Sequence, residues 1–169
     1  MPEPNIELSD ELKKLLLRSE DQRHASKFVH DMLLGQDNLA IVIRGHLYFE
    51  SALNRLIEES LREPSEIDVE RLTFRLKTEL ALALEAVPRD LKQPLLLVNS
   101  LRNRLAHDID AEITAKDTNN LFNFFTKHDR ERIGADARSN LLGLFGFLFG
   151  RLHGKVLVKA AASSAEEKS

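Results

Sequence analysis

The run Leu101-Arg102-Asn103-Arg104-Leu105-Ala106-His107-Asp108 gathers two guanidinium groups, an amide and an imidazole in one short stretch. A guanidinium holds phosphate oxygens through paired N–H groups, and an imidazole moves protons near neutral pH. These groups supply much of what is needed to cleave a phosphodiester without a metal. Arg102 and His107 are five positions apart, which is about 140° on an ideal helix. Both therefore reach one site only if the helix ends or distorts at His107, and the polar run Asp108-Ile109-Asp110 fits such an end. The plainer reading is that Arg102 and Arg104 solvate a helix face while His107 favours a C-terminus through the helix dipole. Spacing alone leaves both readings open.

The elements that must position this segment all follow helical periods. Ser9-Asp10-Glu11 opens a short helix with Leu8, Leu12, Leu15 and Leu16 on one stripe. A second begins near Ser19 and runs through Phe28, Val29, Met32 and Leu33 to Gly35, which can end a helix in a left-handed conformation. A third starts at Asp37, with Leu39, Val42, His46, Phe49, Leu53, Leu56 and Leu61 along one face. Pro64 marks a loop. A fourth helix is predicted over 72–86 and a fifth from Asp90, where Pro94 is tolerated only in the first turn. The fifth turns Leu95, Val98, Leu101 and Leu105 towards the core and ends in the arginine–histidine segment. After a loop over 109–118, with Asp117 or Thr118 as cap, a short helix spans 121–127. The last helix is predicted over 136–160, where Gly143, Gly146, Gly150 and Gly154 allow close approach of another helix. No segment has a strand period and no internal repeat is present, so the fold class is all-α. Residues 1–160 read as a single domain and 161–169 as a disordered tail.

Composition narrows the function classes. Formal net charge is −3, so a nucleic-acid site must be a local patch. Residues 71–107 provide one, with seven Lys and Arg against three Asp and Glu, a net +4. The chain has no cysteine, hence no disulfide and no thiolate metal site, which is compatible with a cytoplasmic location. Met1-Pro2-Glu3-Pro4-Asn5 carries no basic and apolar pattern of a secretory signal. The apolar stretch near 141–152 is interrupted by Arg151 and glycines and is too short to span a bilayer. His24 and His30 have no carboxylates at metal-site spacing, so no metal and no cofactor is expected. Glu50 either orients Arg102 or pairs with Arg55 or another surface cation. His46, on an apolar stripe, reads as a core or interface histidine, and Phe122, Phe124 and Phe125 read as core or dimer contacts rather than base-stacking groups.

The arginine–histidine segment resembles the signature of the HEPN superfamily (higher eukaryotes and prokaryotes nucleotide-binding domain), in which an arginine is followed after four to six residues by a histidine. A polar residue often directly follows that arginine, and here it is Asn103. Gly45-His46-Leu47-Tyr48-Phe49-Glu50 and Leu72-Thr73-Phe74-Arg75-Leu76-Lys77 resemble the openings of upstream helices in bacterial HEPN-like families. The likeness covers roughly residues 37–108. It implies a HEPN-like helical bundle, here with an additional C-terminal helix, that forms a homodimer and joins two motifs in one cleft. It further implies a metal-independent endoribonuclease with Arg102, His107 and Asn103 as catalytic residues and Arg104 and Glu50 as substrate-binding ones. A toxin or defence role with RNA as substrate and an antitoxin or other protein partner follows from the same resemblance. Many HEPN toxins carry a tyrosine two residues after the histidine, the target of a silencing modification; here that position is Ile109. The superfamily also contains non-catalytic binding and regulatory modules, such as transcriptional regulators, which is the rival implication.

Overall fold

In the computed structural model, residues 22–28, 30–31 and 37–166 are described. The expected first helix and most of the C-terminal half of the second, including Gly35, lie outside these residues. Residues 22–28 and 30–31 are helical. They precede α1 (Asn38–Glu58), α2 (Phe74–Ala83), α3 (Lys92–His107), α4 (Ala115–Phe124), α5 (Lys127–Ile133) and α6 (Leu141–Glu166). Among the described residues there is no strand, so the fold is all-α. None of their helices is long and apolar enough to cross a membrane.

Local chemistry starts and stops these helices. Asp37 caps α1 by accepting from the Ala40 N–H at 2.6 Å, and Thr73 caps α2 through the Leu76 N–H at 3.3 Å. Leucine 72 therefore lies outside α2, which begins two residues later than predicted. At its end Glu85 takes φ 55°, a left-handed residue, while the Ala86 N–H reaches the Ala81 carbonyl at 2.9 Å. That is a Schellman closure built without glycine. α3 is preceded by a 3₁₀ turn, Arg89–Leu91, and Pro94 sits in its first turn, where the missing N–H would have no helical partner.

The boundaries of α4 and α6 also differ from expectation. α4 starts at Ala115 because Thr114 and Asp117 form a reciprocal capping box, which places Asp117 inside the helix. α6 starts at Leu141, after a 3₁₀ segment over Ala135–Ser139, with Asn140 accepting from the Gly143 N–H at 3.0 Å. It also continues as helix through residues 161–166, where the sequence predicts a tail.

α1 is the central helix and packs against α2, α3 and α6. Val42, Phe49, Leu53 and Leu56 of its predicted stripe are buried, as is Ile57. Leu39 is half-exposed, because it lies in the first turn of α1, at the rim of the groove shared with α3. Leu95, Val98 and Leu101 anchor α3 in the same core, and Leu144, Phe145, Leu148 and Leu152 anchor α6. Within the protomer the close approach is made by Gly45 of α1. A Cβ there would lie 2.3 Å from the Phe145 ring, whereas Gly146, Gly150 and Gly154 meet nothing within 4 Å.

Candidate functional site

α3 remains helical through His107, and Asp108 caps it in an extended conformation with its N–H on the Arg104 carbonyl at 3.0 Å. Helical geometry therefore holds Arg102 and His107 about 140° apart within one chain. The helix ends directly after His107, as the polar run Asp108-Ile109-Asp110 suggested, and it ends without a distortion ahead of His107. His107 is exposed at the C-terminus of α3. The Asp108 carboxylate turns into its own loop and accepts from the Asp110 N–H at 3.0 Å.

The two arginines have different fates. Arg102 is half-buried and donates from Nη1 to Asn103 Oδ1 at 3.0 Å. Its other N–H groups make no hydrogen bond to the described residues, so most of its five donors have no acceptor there. Arg104 donates to both carboxylate oxygens of Asp117, at 3.2 and 2.7 Å, and to the Glu112 carbonyl at 3.2 Å. The Asp117 bonds raise its already high pKa. Burial pushes the Asp117 carboxyl up, but the hydrogen bonds from Arg104 and Thr114 outweigh it and hold the group below its ordinary value. Arg104 is thus a clamp between α3 and α4, which leaves Arg102 as the arginine of the motif available to a substrate.

Glu50 takes neither of the partners considered for it. Its Oε1 accepts from the Lys77 ammonium at 2.6 Å, and Arg55 pairs instead with Glu59 at 2.7 Å. Lys77 is only 1% exposed, so its cation is no surface group. His46 is buried at 5% exposure, packs its ring 4.3 Å from that of Phe74, and places Nε2 3.2 Å from Asn99 Oδ1. With that amide oxygen as acceptor, Nε2 carries the proton and Nδ1 faces Glu50 Oε2 at 4.0 Å. Burial lowers the His46 pKa; the Asn99 bond and Glu50 oppose this, while Arg102 and Lys77 add to it. A polar seam of His46, Glu50, Lys77 and Asn99 thus runs through the apolar α1–α2–α3 junction within electrostatic reach of Arg102.

Lys77 and Asn99 escaped the sequence reading. A signal for Lys77 was present: Phe74, Lys77, Thr78 and Ala81 follow an i, i+3, i+4, i+7 stripe, all four buried. Phe122 and Phe125 are buried as expected, whereas Phe124 is partly exposed. Beside the end of the motif an open groove of about 300 Å³ lies between the start of α1 and the loop after α3, lined by Leu39, Leu105 and Ile113 with Asp37 and Glu112 at its rim. Leu39 opposite Leu105 and His46 opposite Asn99 set α1 and α3 antiparallel. Among the described residues no group of three or more His, Asp or Glu is arranged to hold a metal ion. Comparison with models of known protein families, with curated proteins and with solved structures returns no match.

Proposed function

We propose that this chain is a metal-independent endoribonuclease of HEPN type that acts as a homodimer, with Arg102 and His107 of both protomers lining one composite site. The observation that carries the reading is the division of labour at the end of α3. Arg104 is spent on Asp117, while Arg102 keeps free donors one and a half turns before an exposed His107. RNA brings its own nucleophile, the 2′-OH, so the protein has only to move protons and stabilise charge on phosphorus. One His107 takes the 2′-OH proton as oxygen attacks phosphorus. The partner's His107 protonates the departing 5′-oxygen, and Arg102 neutralises the phosphorane between these steps. Asn103 holds the guanidinium through their hydrogen bond. The products are a 2′,3′-cyclic phosphate and a 5′-hydroxyl. A toxin or defence role, with an antitoxin as partner, rests on the family resemblance.

A second reading, a non-catalytic HEPN-like module that binds a protein or nucleotide partner, is favoured by the regular helix through His107, which separates the two motif residues within a chain. Cleavage of a mixed RNA pool in EDTA separates the readings. The nuclease leaves cyclic phosphate ends and loses activity in Arg102→Ala and His107→Ala. Folded, dimeric wild-type protein that leaves the pool intact identifies the binding module.

A further inference from the structure

A lysine as buried as Lys77 is rare unless its charge is matched. It is matched here by Glu50, and that match has a consequence for Arg102. Side chains on a helix lean towards its N-terminus. With α1 and α3 antiparallel, Glu50 on α1 leans towards His46, and Arg102 on α3 leans back towards Asn99, the residue bonded to His46. Glu50 lies 4.0 Å from one ring nitrogen of His46 while Asn99 holds the other, and carboxylate and guanidinium both act electrostatically on that imidazole. An unpaired carboxylate in that seam would draw the nearest available cation. His46 is a poor one, because its ring is buried and tightly packed. Arg102 is a good one, because only Nη1 is engaged, by Asn103, and its charge is permanent.

We propose that Lys77 is the positioning residue of the Arg102 site: its ammonium occupies the Glu50 carboxylate and thereby leaves the Arg102 guanidinium free for a phosphodiester. This rests on the reading of Arg102 as the phosphate-binding residue. Lys77 touches no substrate; it acts through Glu50. Removing its charge converts Glu50 into an intramolecular competitor for the arginine.

The test is binding of a fluorescent 2′-O-methyl oligouridylate, which lacks the nucleophile and stays intact, measured across salt concentrations at a pH that keeps His46 neutral. Folded Lys77→Met is expected to bind about tenfold more weakly than wild type. Its salt slope should fall by about 0.7, the value of one lost phosphate contact to a single strand. Lys77→Met/Glu50→Gln, which removes competitor and guard together, should regain wild-type affinity and slope. A purely structural role for Lys77 predicts unchanged affinity per folded molecule. Unchanged affinity in folded Lys77→Met, with a raised His46 pKa by NMR, would show that the imidazole answers the carboxylate, and would overturn the proposal. If Lys77→Met does not fold, folded Lys77→Gln takes its place with the same expectations, and lost affinity in the double variant refutes the proposal. Arg102→Ala separates the two layers. If it binds as tightly as wild type, the reading of Arg102 fails and takes the proposal with it. If it binds weakly while folded Lys77→Met does not, the Lys77 proposal alone fails.

Discussion

Asp117→Asn is expected to destabilise the protein while leaving the motif's outward face intact. Four hydrogen bonds converge on this carboxylate: Arg104 Nη1 at 3.2 Å and Nη2 at 2.7 Å, the Thr114 N–H at 2.8 Å and Thr114 Oγ1 at 2.8 Å. An asparagine has one acceptor oxygen. Placed at the more heavily used Oδ2 position, it turns its NH2 towards Arg104 Nη1, donor against donor. A charge-assisted bond contributes about 1.5–3 kcal/mol, but Arg104 is 41% exposed and water replaces part of what it loses. The net cost is about 2 kcal/mol, which for a chain of this size lowers Tm by about 4–8 °C. The sign of the pH effect follows from the lowered pKa of Asp117. Its contribution is present above the ordinary carboxylate value of about 3.9 and disappears as pH falls through the lower folded value. The gap between wild type and variant should therefore be full at pH 7 and narrow on acidification below about pH 4. Thermal melts followed by circular dichroism at both pH values measure it, with Arg102→Ala as the control that melts close to wild type. A variant Tm equal to wild type at neutral pH, or a gap that widens in acid, would refute the clamp. So would Arg104→Ala that melts like wild type yet loses RNA affinity, since Arg104 would then be a substrate ligand.

Gly45→Ala would gain about 1 kcal/mol of helix propensity but drive a Cβ into the fully buried Phe145 ring, for a net loss of about 2 kcal/mol in urea denaturation. Gly150→Ala, with nothing near its added methyl, should be neutral or stabilising in the same assay. Arg151 joins Asp90, at 2.8 Å, to the buried Asp129. Arg151→Ala leaves that carboxylate with Thr126, and a loss of about 2–4 kcal/mol is expected in urea denaturation. Tyr48 is the sole tyrosine, and burial, its 2.7 Å hydrogen bond to Asp31 and the Asp31 charge all raise its pKa. Its contribution to stability is present below pH 10, the ordinary phenol value, and is lost as pH rises further. Phenolate absorbance should consequently appear together with unfolding rather than as a separate transition at pH 10.

The sequence by itself determined the all-α class, the central helix and the placement of the arginine–histidine segment at a helix end. These are local properties. The buried stripe Val42, Phe49, Leu53 and Leu56 is written in a 3.6-residue period, the cap at Asp37 acts on a residue three positions away, and Pro94 fits only a first turn. The capping box at Thr114 and Asp117 is equally local and was open to reading, as was the buried stripe that carries Lys77. Tertiary structure decided which charged group is spent and which is free. Arg102 and Arg104 look alike in sequence, two positions apart, and diverge only because α4 brings Asp117 to one of them. Glu50 had Arg55 on its own helix and Arg102 on α3 as candidate partners, and the fold gave it Lys77 from α2. Side-chain pairing across helices depends on their crossing and register, and no periodicity within one helix encodes what the facing helix presents. The glycines make the same point: four lie along α6, yet the tight contact is at Gly45, since only packing determines which face of a helix meets a neighbour.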